Sequence, residues 1–124
     1  MRAASAQPAP VHPAPARLGK FFPPHPDRPW VEIHYEDARV LYDRKAMFID
    51  ARRTSIFEQG HIAGAKSISV WESDVDDKVA AMAMAGLDGN APIVIYCSGG
   101  NCEDSHMLAE RLFGVGFNNV LVYK

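Results

Sequence analysis

Cysteine is scarce in this chain: Cys97 and Cys102 are the only two in 124 residues. A disulfide-stapled scaffold is therefore excluded, and the pair reads as a site instead. No apolar run approaches the roughly 20 residues that a membrane-spanning helix needs, so this chain carries no transmembrane segment. A strong charge of either sign is lacking as well. The formal net charge is -2 and no basic face is evident, which argues against nucleic acid as a partner. Internal repeats are absent. So is the continuous apolar stretch of a secretory signal. No compact Cys/His spacing occurs, so no metal or other cofactor is expected. Zinc would have to recruit His61 or His106 to the two thiols.

Proline is plentiful but confined. Eight of the nine prolines fall between Pro8 and Pro29, interleaved with alanine. We read residues 1–28 as an extended, disordered tail or linker, and residues 29–124 as one domain. Phe21 and Phe22 are adjacent aromatics within the lead, placed to dock back onto that domain. The lead is compatible with a tether outside the cytoplasm and equally with a cytoplasmic protein. The hydrophobic fraction of 48% is enough for a modest core.

From Trp30 onward, short apolar runs alternate with helical patterns. Strands are expected at Trp30–His34, Ala46–Ile49, Lys66–Val70, Ile93–Tyr96 and Val120–Tyr123. Helices are expected at Tyr35–Arg44, Thr54–Gln59, from a Ser73 or Asp74 cap to about Ala85, and at Glu103–Phe113. Met107, Leu108 and Leu112 form the expected buried stripe of the last helix. The alternation indicates an α/β fold with a mostly parallel sheet. Ligands of such sheets bind at the carboxyl ends of the strands, where both Asp50 and Cys97 sit.

The segment Ile93-Val94-Ile95-Tyr96-Cys97-Ser98-Gly99-Gly100-Asn101-Cys102-Glu103 carries the chemistry. An apolar strand ends in a thiol, two glycines follow, and a helix begins. Loop amides and the helix dipole at such a place favour negative charge. A cysteine held there tends to be a thiolate, the nucleophilic form. The Gly-Gly pair and the second cysteine five positions on set this apart from a structural thiol beside a turn.

Two segments give the chain a likeness to a known family. One runs Phe48-Ile49-Asp50-Ala51-Arg52, then Phe57-Glu58-Gln59-Gly60-His61-Ile62-Ala63-Gly64-Ala65. The other is Ile95-Tyr96-Cys97 with its loop and helix, followed by Gly116-Phe117-Asn118-Asn119-Val120. In order and spacing these resemble the rhodanese-like domains, the single-domain sulfurtransferase family, over roughly residues 30–124. The resemblance implies a mostly parallel central sheet flanked by helices on both faces. It also implies a sulfurtransferase or persulfide carrier, moving sulfane sulfur through Cys97 from a small donor to a thiol or protein acceptor. Ser98, Gly99, Gly100, Asn101, Cys102 and Glu103 would then form the loop whose amides hold the anion or persulfide. Members of the family usually continue through a glycine-rich turn into a closing helix, which is missing after Lys124.

One departure bears on the donor. Active thiosulfate sulfurtransferases often carry a basic loop residue, but Cys97–Ser105 contains none, and Glu103 and Asp104 are acidic. These carboxylates suit a helix N-terminus but repel a dianion, so thiosulfate use is expected to be weak. Asp50 and Arg52 are read as a supporting pair, the Asp binding loop amides and the Arg a carboxylate. His61 is read as holding a turn, His106 as a surface residue, and Trp30 and Trp71 as packing residues. Cys102 is either a resolving thiol for Cys97 or a small core filler. Two alternatives remain open: a redox domain cycling a Cys97–Cys102 disulfide, and a non-catalytic rhodanese-like interaction module. A Cys-x5-Arg phosphatase or arsenate reductase is disfavoured because Glu103 stands where that loop needs its arginine.

Overall fold

The structure, a computed structural model, describes residues 22–98 and 103–124. The expectations for Phe21, Gly99, Gly100, Asn101 and Cys102 lie outside the described residues. Five parallel strands form one sheet in the order β1-β5-β4-β2-β3. They are β1 (Val31–Ile33), β2 (Met47–Asp50), β3 (Lys66–Ser67), β4 (Ile93–Tyr96) and β5 (Val120–Tyr123). The helices are α1 (Tyr35–Asp43), α2 (Thr54–Gln59), α3 (Val75–Met84) and α4 (Asp104–Gly114). Among the described residues, no helix is long and apolar enough to cross a membrane.

The central strands β4 and β5 carry no charged residue because both faces of the sheet are covered. Side chains alternate between the faces with a period of two. Ile49, Ile93, Ile95, Val120 and Val122 point to one side. There they pack with Val75, Val79 and Met82 of α3 and with Leu108, Ala109 and Leu112 of α4. Phe48, Val94, Tyr96 and Leu121 point to the other, against Ala38 and Leu41 of α1. Fully burying a side chain such as Ile95 contributes roughly 1.5–3 kcal/mol, so these strands anchor the domain. Phe22 packs against the second cluster, its carbonyl accepting a hydrogen bond from Asn119 Nδ2 at 2.7 Å. Gly89 lies so close to the turn after α4 that a Cβ there would meet Gly116 O at 2.7 Å.

Three local expectations need correction. β3 stops at Ser67 instead of running to Val70. Ser69 Oγ accepts the Trp71 amide at 3.2 Å, and Glu72 N donates to Ser69 O at 3.2 Å, so the chain turns. Asp74 precedes α3 but makes no side-chain cap hydrogen bond; its carboxylate pairs with Lys78 Nζ at 3.5 Å instead. Met107 is exposed. The buried stripe of α4 is Ser105, Leu108, Ala109 and Leu112, and Met107 is out of phase with it.

Candidate active site

The parallel register sets the site. Asp50 lies opposite Tyr96 on the adjacent strands β2 and β4. The Ala51 amide closes that ladder on Tyr96 O at 2.8 Å. Asp50 and Cys97 therefore leave the sheet side by side at its carboxyl edge. Cys97 is half-buried and disulfide-bonded. The chain's other cysteine, Cys102, is among the residues not described. Ser98 and Glu103, the described flanks of the loop, are exposed.

Asp50 is fully buried. Arg52 grips its carboxylate from the side: Nε donates to Oδ1 at 3.0 Å and Nη2 to Oδ2 at 2.6 Å. The Arg52 backbone N–H adds a bond to Oδ1 at 2.9 Å. The same Nη2 reaches Gly60 O at 2.6 Å, which ties the end of α2 to the pair. Burial alone would raise the Asp50 pKa, but the Arg52 hydrogen bonds outweigh it and hold the carboxyl below its ordinary value. The phenol of Tyr96 is pushed up by burial, and its oxygen accepts the Ile62 amide at 2.9 Å. These bonds organise the segment from β2 to β3 from beneath. Asp50 and Arg52, expected as a pair, are hydrogen-bonded to each other.

His61 holds its turn as expected. Nδ1 lies 2.8 Å from Phe57 O and the ring stacks on Phe57 with centroids 3.6 Å apart. His106 stacks on Trp30 at 4.5 Å. Trp30 is partly buried against the core, but Trp71 is not a packing residue: it is 51% exposed. Its indole Nε1 donates to Asp104 Oδ1 at 2.7 Å, and the Arg53 guanidinium lies over its ring, 5.3 Å from the centroid. This cluster was missed in the sequence. The signal lay in topology, since Arg53 follows β2, Trp71 follows β3 and Asp104 begins the helix after β4. All three meet at one sheet edge. Among the described residues, no group of three or more His, Cys, Asp and Glu side chains is arranged to hold a metal ion.

The family model of the rhodanese-like domain matches residues 34–124. The chain belongs to the rhodanese-like domain family. Among curated relatives, this rhodanese-like chain is 33% identical over 85 residues to the thiosulfate sulfurtransferase GlpE of Pseudomonas aeruginosa strain LESB58, covering 68% of this chain and 69% of that protein. GlpE of strain UCBPP-PA14 matches to the same extent. Solved structures agree on the fold. The Alr3790 protein from Anabaena sp. aligns with a TM-score of 0.58 at 21% identity, over 74% of this chain and 78% of that one. Wild-type EanB aligns with a TM-score of 0.58 at 24% identity, over 75% of this chain and 23% of that one.

Proposed function

We propose that the reduced domain is a sulfurtransferase or persulfide carrier with Cys97 as its nucleophile. The observation that carries this reading is the position of Cys97 at the carboxyl end of the central strand, one residue past the Asp50–Tyr96 pairing. The family and the likeness to GlpE support it. The Cys97 thiolate attacks the outer sulfur of a sulfane donor. The donor's S–S bond breaks, its remaining fragment leaves with the electron pair, and a Cys97 persulfide forms. An acceptor thiolate then takes the outer sulfur and returns Cys97 as thiolate. Backbone amides of the 98–103 loop are proposed to stabilise the anions in both steps. Mass spectrometry of the reduced protein after incubation with a sulfane donor should find one added sulfur on Cys97. An unmodified Cys97 under conditions where the donor modifies a free thiol would reject the reading.

A second reading is favoured by one observation, the disulfide at Cys97. In it, Cys102 attacks the inner sulfur of a Cys97 persulfide, releases hydrosulfide and leaves a Cys97–Cys102 disulfide. A Cys97 sulfenic acid is resolved in the same way with loss of water. Under mild peroxide, the native protein is expected to stop at a reducible disulfide, while Cys102→Ser proceeds to sulfinic acid at Cys97. Equal over-oxidation of the two proteins would remove Cys102 from this role.

A further inference from the structure

The proposed site has acidic residues but no basic residue in its loop, yet a cation lies at the same sheet edge. Arg53 stands three residues after Asp50, the last residue of β2, which lies next to β4. Its backbone is pinned to the turn after β3, because Thr54 N donates to Glu72 Oε2 at 3.2 Å. The same turn presents Trp71, whose ring faces the guanidinium at 5.3 Å. Asp104 in turn fixes the indole from the first turn of α4, the helix that follows the Cys97 loop. Arg53 and Trp71 thus span the gap between the ends of β2 and β3 and the start of α4.

Nearby carboxylates are committed elsewhere. Asp104 accepts from the Trp71 indole, and Glu72 accepts from the Thr54 amide. Among the described residues, no carboxylate lies within ion-pair distance of Arg53. The other guanidinium at this edge, Arg52, is taken up by Asp50 and Gly60 O. A guanidinium lying on an aromatic face keeps its in-plane N–H edge available for a planar or forked oxyanion. Resting on Trp71, it also loses less side-chain freedom when a ligand binds.

We propose that Arg53, held on Trp71, is a specificity-determining residue that grips the oxyanion head of the sulfur donor. The inference rests on the Cys97 reading above and names the donor class for it: a donor whose sulfane sulfur is attached to an anionic oxygenated head, of which a thiosulfonate is the simplest monoanionic example. A single cation at an edge where α4 begins with Glu103 and Asp104 suits a monoanion better than a dianion. In the step itself, the Cys97 thiolate bonds to the sulfane sulfur of the thiosulfonate and the bond to the sulfonyl sulfur breaks. Sulfinate departs with the electron pair, and the total charge is unchanged.

Benzenethiosulfonate serves as the probe, with the reduced 124-residue protein. Arg53→Gln should raise KM for Cys97 persulfide formation roughly tenfold, as expected for one lost charge-assisted contact, while kcat stays within about twofold. Arg53→Lys should fall between, keeping the charge but losing the fork. A change in kcat with KM unaltered, or equal values for Arg53→Gln and the parent, would overturn the assignment. A second measurement does not depend on sulfur transfer. Calorimetry of benzenesulfinate binding to Cys97→Ser should show affinity that falls roughly tenfold when Arg53→Gln is added. Loss of affinity on adding Arg53→Gln supports the anion site even if Cys97 accepts no sulfur. Unchanged affinity rejects the anion site while leaving the Cys97 reading intact.

Discussion

Cys97→Ser is expected to bring sulfur transfer down to the uncatalysed background. A serine alcohol is hardly ionised at neutral pH and cannot form a persulfide, so both half-reactions lose their carrier. The measurement is sulfur delivery to an acceptor thiol, assayed under reducing conditions alongside Cys102→Ser. Reduction matters because Cys97 is disulfide-bonded in the structure, and the bonded form has no thiolate to offer. Cys102→Ser should keep its transfer activity, since the proposed chemistry passes through one sulfur only. Retained transfer in Cys97→Ser would show that the carrier is elsewhere. Sulfur and oxygen differ little in size, and Cys97 is only half-buried. The reduced proteins should therefore differ in unfolding free energy by no more than about 1 kcal/mol, which separates a chemical loss from misfolding.

Some of this architecture was legible in the chain because it depends on local pattern. β4 and β5 run where their uninterrupted apolar stretches place them, since a strand covered on both faces has no polar side to show. Cys97 and Asp50 stand at strand ends in the sequence and share one edge in the fold. What the pattern could not show was governed by contacts between elements. β3 ends early because the Ser69 side chain bonds the Trp71 amide, a turn that the strand-like alternation Ile68-Ser69-Val70 conceals. Trp71 looks like core by composition, yet it stands exposed as the platform for Arg53. Their neighbourhood depends on β3 lying next to β2 and on α4 starting after β4, and neither follows from spacing along the chain. The Asp50–Arg52 pair was visible as two residues. Its strength was not, because the full burial of Asp50 comes from the sheet around it.

That burial makes Arg52→Met the most damaging change to the fold among those considered. The substitution keeps an unbranched apolar stem and removes the guanidinium from a carboxylate with no exposure to solvent. Breaking a buried pair by removing one partner costs about 3–5 kcal/mol, and loss of the bond to Gly60 O adds to the effect. Urea unfolding at neutral pH should show a drop of about 3 kcal/mol or more. The pH dependence is the sharper test. In the parent, the Asp50 pKa is lowered in the folded state. Its contribution to stability is therefore present above the unfolded carboxyl pKa of about 4 and is lost as pH falls through the folded value. In Arg52→Met, burial acts on the carboxyl with only the residue-52 amide and the Tyr96 phenol still bonding it, so the folded pKa moves upward from that of the parent. The folded variant then binds the proton more readily than the unfolded chain, and the Asp50 contribution to stability rises as pH falls from 7 toward 5. The difference in stability between parent and variant should shrink over that range. Adding Asp50→Asn removes the buried charge, so the double variant should be more stable than Arg52→Met alone at pH 7 and should lose the convergence with pH. A difference between parent and Arg52→Met that stays constant from pH 7 to 5 would mean that Asp50 is solvated once its partner is gone, and that the pair is not what secures this edge of the sheet.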